Sequence, residues 1–231
     1  MQAHVLVDYH NLPRSVRNSG TVSIARTLDE LVQAHVPKTD EVHIRLYGGW
    51  YDEAGLSNDG SRLTQEIGRN FPIALSERRG QIRYIFCEIA SSLIESRSDL
   101  LPATVRRAHG LGWFEKQAHP SGCVDLPGCT ISTVMNWSRR GCPSTNCPVT
   151  HFEAFTAKQQ KLVDTLLCCD LLSVAGAESR TLVVSEDDDL IPALLLAGSR
   201  GARIWHVRSK GDKVRLYDGM LLRRGVQLIS L

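Results

Sequence analysis

The sequence predicts an α/β protein: a doubly wound domain with a central parallel sheet flanked by helices, plus a cysteine-rich insert. Three observations predict it. Short apolar runs rich in β-branched residues recur along the chain, and their continuity suits strands buried on both faces. Helical patterns sit between those runs, as in repeated βαβ units. From about Ser96 to Thr150 this rhythm stops, and four of the seven cysteines fall there.

Taken in order, strands are predicted over His4–Val7, Val42–Tyr47, Ile82–Cys87, Thr181–Val184, Ala202–Val207 and Val226–Ile229. A helix is predicted over Ser23–Val36, where Ile24, Leu28, Leu31 and Val32 recur at helical spacing. A second is predicted over Lys158–Ala175, carrying Leu162, Leu166, Leu167, Leu171 and Val174. A third follows over Leu190–Gly198 and ends at a glycine stop. This organisation assigns residues 1–95 and 156–231 to the α/β body and 96–155 to the insert.

The chain has 231 residues, enough for one large domain or one domain with an insert. Its formal charge is +2. Global attraction to a polyanion is therefore not implied, and any nucleic-acid surface must be local. Arginine outnumbers lysine 21 to 6, which suits phosphate contacts but equally reflects base composition. The first residues run straight into Val5-Leu6-Val7-Asp8 without the basic region or cleavage site of a secretory signal. No apolar run reaches membrane-spanning length. A cytoplasmic protein is expected, so the cysteines are not read as a disulfide framework.

The chemistry concentrates at strand ends. Residues 182–192 read Leu-Val-Val-Ser-Glu-Asp-Asp-Asp-Leu-Ile-Pro, with four consecutive carboxylates between a strand and a helix. Two carboxylates ~4 Å apart repel by ~4 kcal/mol at an effective dielectric near ~20. An all-oxygen cluster of this kind calls for a cation such as Mg²⁺ or Mn²⁺. The alternative is a solvated helix start, where Asp is also favoured. Asp8 ends the first strand, and Asp187 and Asp189 follow the strand Thr181–Val184. Open parallel sheets bind ligands beyond their carboxyl ends, at the point where strand order reverses. If both strands are central and adjacent, these carboxylates converge.

The helix around Lys158–Ala175 adds Asp164 and Asp170. They lie about 240° apart round the helix, so only one can face the strand ends. Asp164 is the candidate, and Asp170 is expected to make a structural hydrogen bond or face solvent. Ser185 and Asn11 stand beside the carboxylates. Either they orient an Asp or a metal-bound water, or they serve turn chemistry.

Three motifs in this order resemble the NYN branch of the PIN-like nuclease superfamily. Val-Leu-Val-Asp-Tyr-His-Asn-Leu (5–12) resembles its opening strand. Lys161-Leu-Val-Asp164, with Asp170 six residues later, resembles its Lys-Gly-Val-Asp helix. Ser185-Glu-Asp187-Asp-Asp189-Leu-Ile-Pro192 resembles its Ser-Gly-Asp-Ser-Asp-Phe-x-Pro segment. The strand leading to Tyr47-Gly-Gly-Trp-Tyr51 resembles its aromatic second strand. Leu162 and Glu186 each replace a usual Gly, Asp188 a usual Ser and Leu190 a usual Phe. The resemblance does not account for the insert.

It implies a PIN-like fold and metal-dependent hydrolysis of RNA phosphodiester bonds. Asp8, Asp164, Asp187 and Asp189 would be the catalytic and Mg²⁺- or Mn²⁺-holding residues, with the metal lowering the pKa of water for in-line attack. Asn11, Arg14, Lys161 and Ser185 would contact substrate. An RNA partner is implied, with DNA not excluded, no membrane, and homo-oligomerisation left open. The alternative is an NYN-type nucleic-acid-binding or assembly module that is catalytically weak or inactive. A phosphohydrolase of the haloacid dehalogenase type would need a second Asp where His10 stands.

In the insert, Cys123, Cys129, Cys142 and Cys147 form two close pairs flanking a loop, a pattern for structural Zn²⁺. His119 and His151 are substitutes for one thiolate. The alternative is a set of ordinary thiols in a loop. Metal binding would supply folding free energy to a segment with few large apolar residues. Arg106-Arg107 and Arg139-Arg140, with Trp113, Phe114 and Trp137 among them, suit single-stranded RNA or equally a small aromatic core.

Overall fold

The computed structural model describes residues 1–36, 38–52, 55–76, 82–101, 104–109, 133, 156–160, 162–209 and 214–231. The strands are β1 (Gln2–Asp8), β2 (Glu41–Tyr47), β3 (Tyr51–Asp52), β4 (Gly55–Leu56), β5 (Ile73–Ser76) and β6 (Ile82–Ile89). They continue as β7 (Val105–His109), β8 (Thr156–Gln160), β9 (Arg180–Val184), β10 (Arg203–Arg208) and β11 (Gln227–Ser230). The helices are α1 (Arg14–Arg17), α2 (Thr21–His35), α3 (Asn58–Asn70), α4 (Val163–Val174), α5 (Ile191–Ser199) and α6 (Asp218–Arg223). By its contacts the chain divides into two compact units, residues 1–104 with 160–231, and residues 105–159. Leu93 and Leu101 pack on the core of the first unit, which is why the break falls after residue 104.

The first unit holds a seven-stranded sheet in the order β11-β10-β9-β1-β2-β6-β5. Every neighbouring pair is parallel except β5 with β6. Strand order grows away from β1 in both directions, through β9 to β11 on one side and through β2 to β6 on the other, where antiparallel β5 is added at the edge. The reversal therefore lies between β1 and β9, whose registers pair Val7 with Val184.

Both faces are covered along the central strands β1, β9 and β10, which explains their continuous apolar runs. Alternation along β1 sends Val5 and Val7 to one face and Leu6 to the other. The first face packs on Ile24, Leu28 and Val32 of α2 and Leu63 of α3. The second packs on Leu166, Leu167 and Leu171 of α4, Leu194 of α5 and Leu221 of α6. Full burial of each such side chain contributes about 1.5–3 kcal/mol. Among the described residues no helix is long and apolar enough to cross a membrane.

Each of the six predicted strands has its counterpart in this sheet. The helix predicted from Lys158 is shorter: Lys158 lies in β8, and α4 begins at Val163. Leu162 precedes it in the left-handed conformation (φ 66°), which no preceding helical turn can enter. The edge strand β5 and helices α3 and α6 escape a reading by apolar period. β5 has four residues, α6 has six, and α3 buries only Gly60 and Leu63.

Candidate metal centre at the strand switch point

Asp8 closes β1, and its carboxylate caps the turn that follows: Oδ1 accepts from the His10 backbone N–H at 3.2 Å. Its other oxygen accepts from the Asn11 amide. The same Asn11 nitrogen donates to Ser185 Oγ at 3.3 Å, across the β1/β9 junction. Ser185 Oγ also accepts from the Asp187 N–H at 3.1 Å. Asp187 Oδ1 in turn accepts from the Asp189 N–H at 3.2 Å, capping the short turn before α5. Asn11 and Ser185 thus bond to the carboxylate-bearing backbone at both strand ends.

Asp164 lies in the first turn of α4. One carboxylate oxygen each from Asp164, Asp187 and Asp189 lie within 4.8 Å of one another. Asp164 and Asp189 are exposed and Asp187 is partly so, leaving the group open to solvent on one side. Asp8 stands beside this trio rather than within it. Burial pushes the Asp8 pKa up; hydrogen bonds from Asn11 and His10 oppose this, and the Asp187 charge adds to it. Partial burial raises Asp164 too, followed by the charges of Asp8, Asp187 and Asp189. The four acids therefore share one electrostatic field, and a cation among them would relieve it. The trio offers three hard carboxylate oxygens and no nitrogen or sulfur donor, a set that could hold a metal ion.

Cys168, one turn beyond Asp164, is held protonated at neutral pH. Burial, then Cys169 and the nearby carboxylates, raise its pKa to about 11. Cys87 and Cys168 are partly buried, and Cys169 is exposed on α4.

The remaining acids of the run are occupied otherwise. Glu186 Oε1 accepts from the Ser209 hydroxyl at 2.9 Å, and its carboxylate pairs with Arg215. Arg215 also donates to the Glu186 carbonyl at 2.8 Å and lies 3.7 Å from Asp188. Behind this loop, buried His206 donates through Nε2 to the Ser185 carbonyl at 3.1 Å. Burial and the adjacent Arg208 lower the His206 pKa to about 4, so it is neutral at pH 7. Arg208 is paired with Asp218 at 2.7 Å. Sequence reading missed this supporting layer, because its partners lie some ten to thirty residues apart and follow no motif.

Asp170 is fully buried and points away from the site. It accepts from Tyr47 Oη at 2.7 Å and Ile94 N at 2.8 Å, and its carboxylate lies 3.1 Å from Arg45 Nε. Arg14 is exposed at the start of α1. Lys161 lies outside the described residues, as do Cys123, Cys129, Cys142, Cys147, His119, His151, Trp113, Phe114, Trp137, Arg139 and Arg140. A groove of about 510 Å³ lined by His4, His43 and Phe86 contains none of the four site aspartates.

Fold and site together define an α/β protein with a carboxylate cluster at its strand switch point. No family model, no curated protein and no solved structure matches the chain.

Proposed function

We propose that the chain is a metal-dependent ribonuclease, as the resemblance of its three motifs to the NYN branch of PIN-like nucleases implies. The observation that carries this reading is the meeting of Asp164, Asp187 and Asp189 within 4.8 Å, beside Asp8, at the β1/β9 junction. These residues come from three separate stretches of chain. A solvated helix start would require only the last of them.

Asp164, Asp187 and Asp189 would hold Mg²⁺ or Mn²⁺, with Asp8 completing the acidic rim. The bound cation would neutralise phosphodiester charge and acidify water at neutral pH. Asn11 and Ser185 hold the two strand ends in register, so that the carboxylates need not reorganise when a cation enters. The His206 contact to the Ser185 carbonyl and the Glu186–Arg215 pair anchor the loop from behind.

The test is one incubation series with wild type and Asp187→Asn, with Mg²⁺, Mn²⁺ or EDTA, against RNA and DNA. Cleavage of RNA by wild type is expected, with loss in EDTA and in the variant. Asn retains the oxygen that caps Asp189 N–H, so the variant should melt within a few degrees of wild type. An equally active, folded Asp187→Asn protein would overturn the assignment. Intact RNA and DNA under every condition would replace it with a catalytically silent binding module.

A further inference from the structure

We infer that Arg17 is a phosphate-contacting residue, which takes a phosphodiester of the single-stranded RNA chain next to the acidic site. This inference rests on the nuclease reading and extends it to a residue no sequence motif singled out.

Tyr9, directly after Asp8, is a buried platform for two arginines. Arg62 donates to its hydroxyl at 3.2 Å, and Arg17 lies over its ring with Cζ 6.0 Å from the centroid. The two differ in their charge partners. Arg62 is neutralised by Glu66 at 2.9 Å and Asp59 at 3.4 Å. Arg17 forms no ion pair among the described residues, and its Nε is buried without a hydrogen-bond partner. Its NH1 is 3.4 Å from His10 Nδ1. His10 packs against both Tyr9 and Trp50, with ring centroids 5.5 and 6.2 Å away.

Arg17 is therefore a pre-positioned cation whose charge no described residue compensates. A guanidinium held this way loses less freedom on binding an anion than a solvated side chain does. Its location specifies the anion. The His10 backbone N–H binds Asp8 Oδ1 at 3.2 Å, so the residue Arg17 contacts also contacts the acidic site. A polyanion crossing the carboxylate cluster would need a fixed positive group at its margin, and a phosphate fits the guanidinium fork.

The test is fluorescence anisotropy of a labelled single-stranded RNA with the full chain in EDTA, where cleavage is blocked, across a salt series. One phosphate contact to a single strand contributes about 0.7 to the slope of log affinity against log salt. Arg17→Gln should lower that slope by about 0.7 and weaken binding about fivefold at 0.1 M salt. Arg17→Lys should restore most of the slope, and both variants should melt as wild type does. A DNA oligomer showing the same loss would support the inference equally, because the contact is to phosphate. Unchanged affinity and slope in Arg17→Gln, with wild type binding RNA, would overturn this inference and leave the nuclease reading standing. Absence of RNA binding by wild type would also overturn it, while the cleavage series judges the nuclease reading separately.

Discussion

Asn11 and Ser185 lie 174 positions apart in sequence, yet the Asn11 amide reaches the Ser185 hydroxyl at 3.3 Å while also donating to Asp8. One side chain thus ties the end of β1 to the end of β9. Asn11→Ala removes a charge-assisted bond from a carboxylate that is only 6% exposed. It should cost about 1–3 kcal/mol in urea denaturation. The proposed metal-dependent cleavage should fall along with it.

Asp164 tests the electrostatics of the site. Its folded-state pKa lies above the ordinary carboxylate value because of burial and three neighbouring acids. Its protonated form contributes stability below that ordinary value, and the contribution is lost as pH rises through the raised pKa. Metal-free wild type at pH 7 thus bears the cost of an ionised Asp164. Asp164→Asn should raise the melting temperature in EDTA at pH 7 by about 1–3 °C, and the difference should close on acidification. On the proposed metal-site reading the order should reverse in saturating Mn²⁺, because only wild type would gain the full binding free energy. Thermal melts across pH, with and without metal, read both effects.

Asp170 should affect stability before chemistry. Asp170→Ala takes one of two carboxylate partners from Arg45, which is 4% exposed and keeps Glu88, and leaves Ile94 N–H and Tyr47 Oη without their acceptor. Each buried polar group left unpaired costs about 1–3 kcal/mol. Urea denaturation should show that loss, and metal affinity of the remaining folded protein should change little.

Leu162 sits at φ 66° immediately before α4, where the NYN motif has glycine. An L-residue in this conformation costs about 1–2 kcal/mol, and its side chain is exposed enough that little packing is lost on removal. Leu162→Gly should stabilise the protein by about 1 kcal/mol in the same denaturation assay. A destabilised variant would show that Leu162 packing outweighs backbone strain.

Much of this architecture was legible in the chain because burial on both faces writes itself as apolar runs. β1, β2, β9 and β10 announce themselves this way, while β6 and β11 carry apolar runs although β6 exposes Ile82, Tyr84 and Phe86 and β11 is only partly buried. α3 does not, because its inward face rests on Leu63 and Ile67 and its N-cap Ser57 precedes a polar stretch. Within the acidic run, the motif separated Asp187 and Asp189 from Glu186 and Asp188. It could not show that Glu186 anchors the loop through Arg215 and Ser209.

By itself the sequence determined an α/β sheet, carboxylates at the ends of two strands and a third on the helix between them. Those are local properties, set by apolar period, charge and turn chemistry. Tertiary structure alone decided that β1 and β9 are neighbours, and hence that Asp164, Asp187 and Asp189 meet beside Asp8. It also decided that Asp170 turns inward to Arg45, and that Arg17 rather than Arg14 is held against Tyr9. The first two depend on which distant segments share a surface, and pairwise packing across more than a hundred residues leaves no period in the chain to be read; the last depends on how the short α1 folds back on Tyr9.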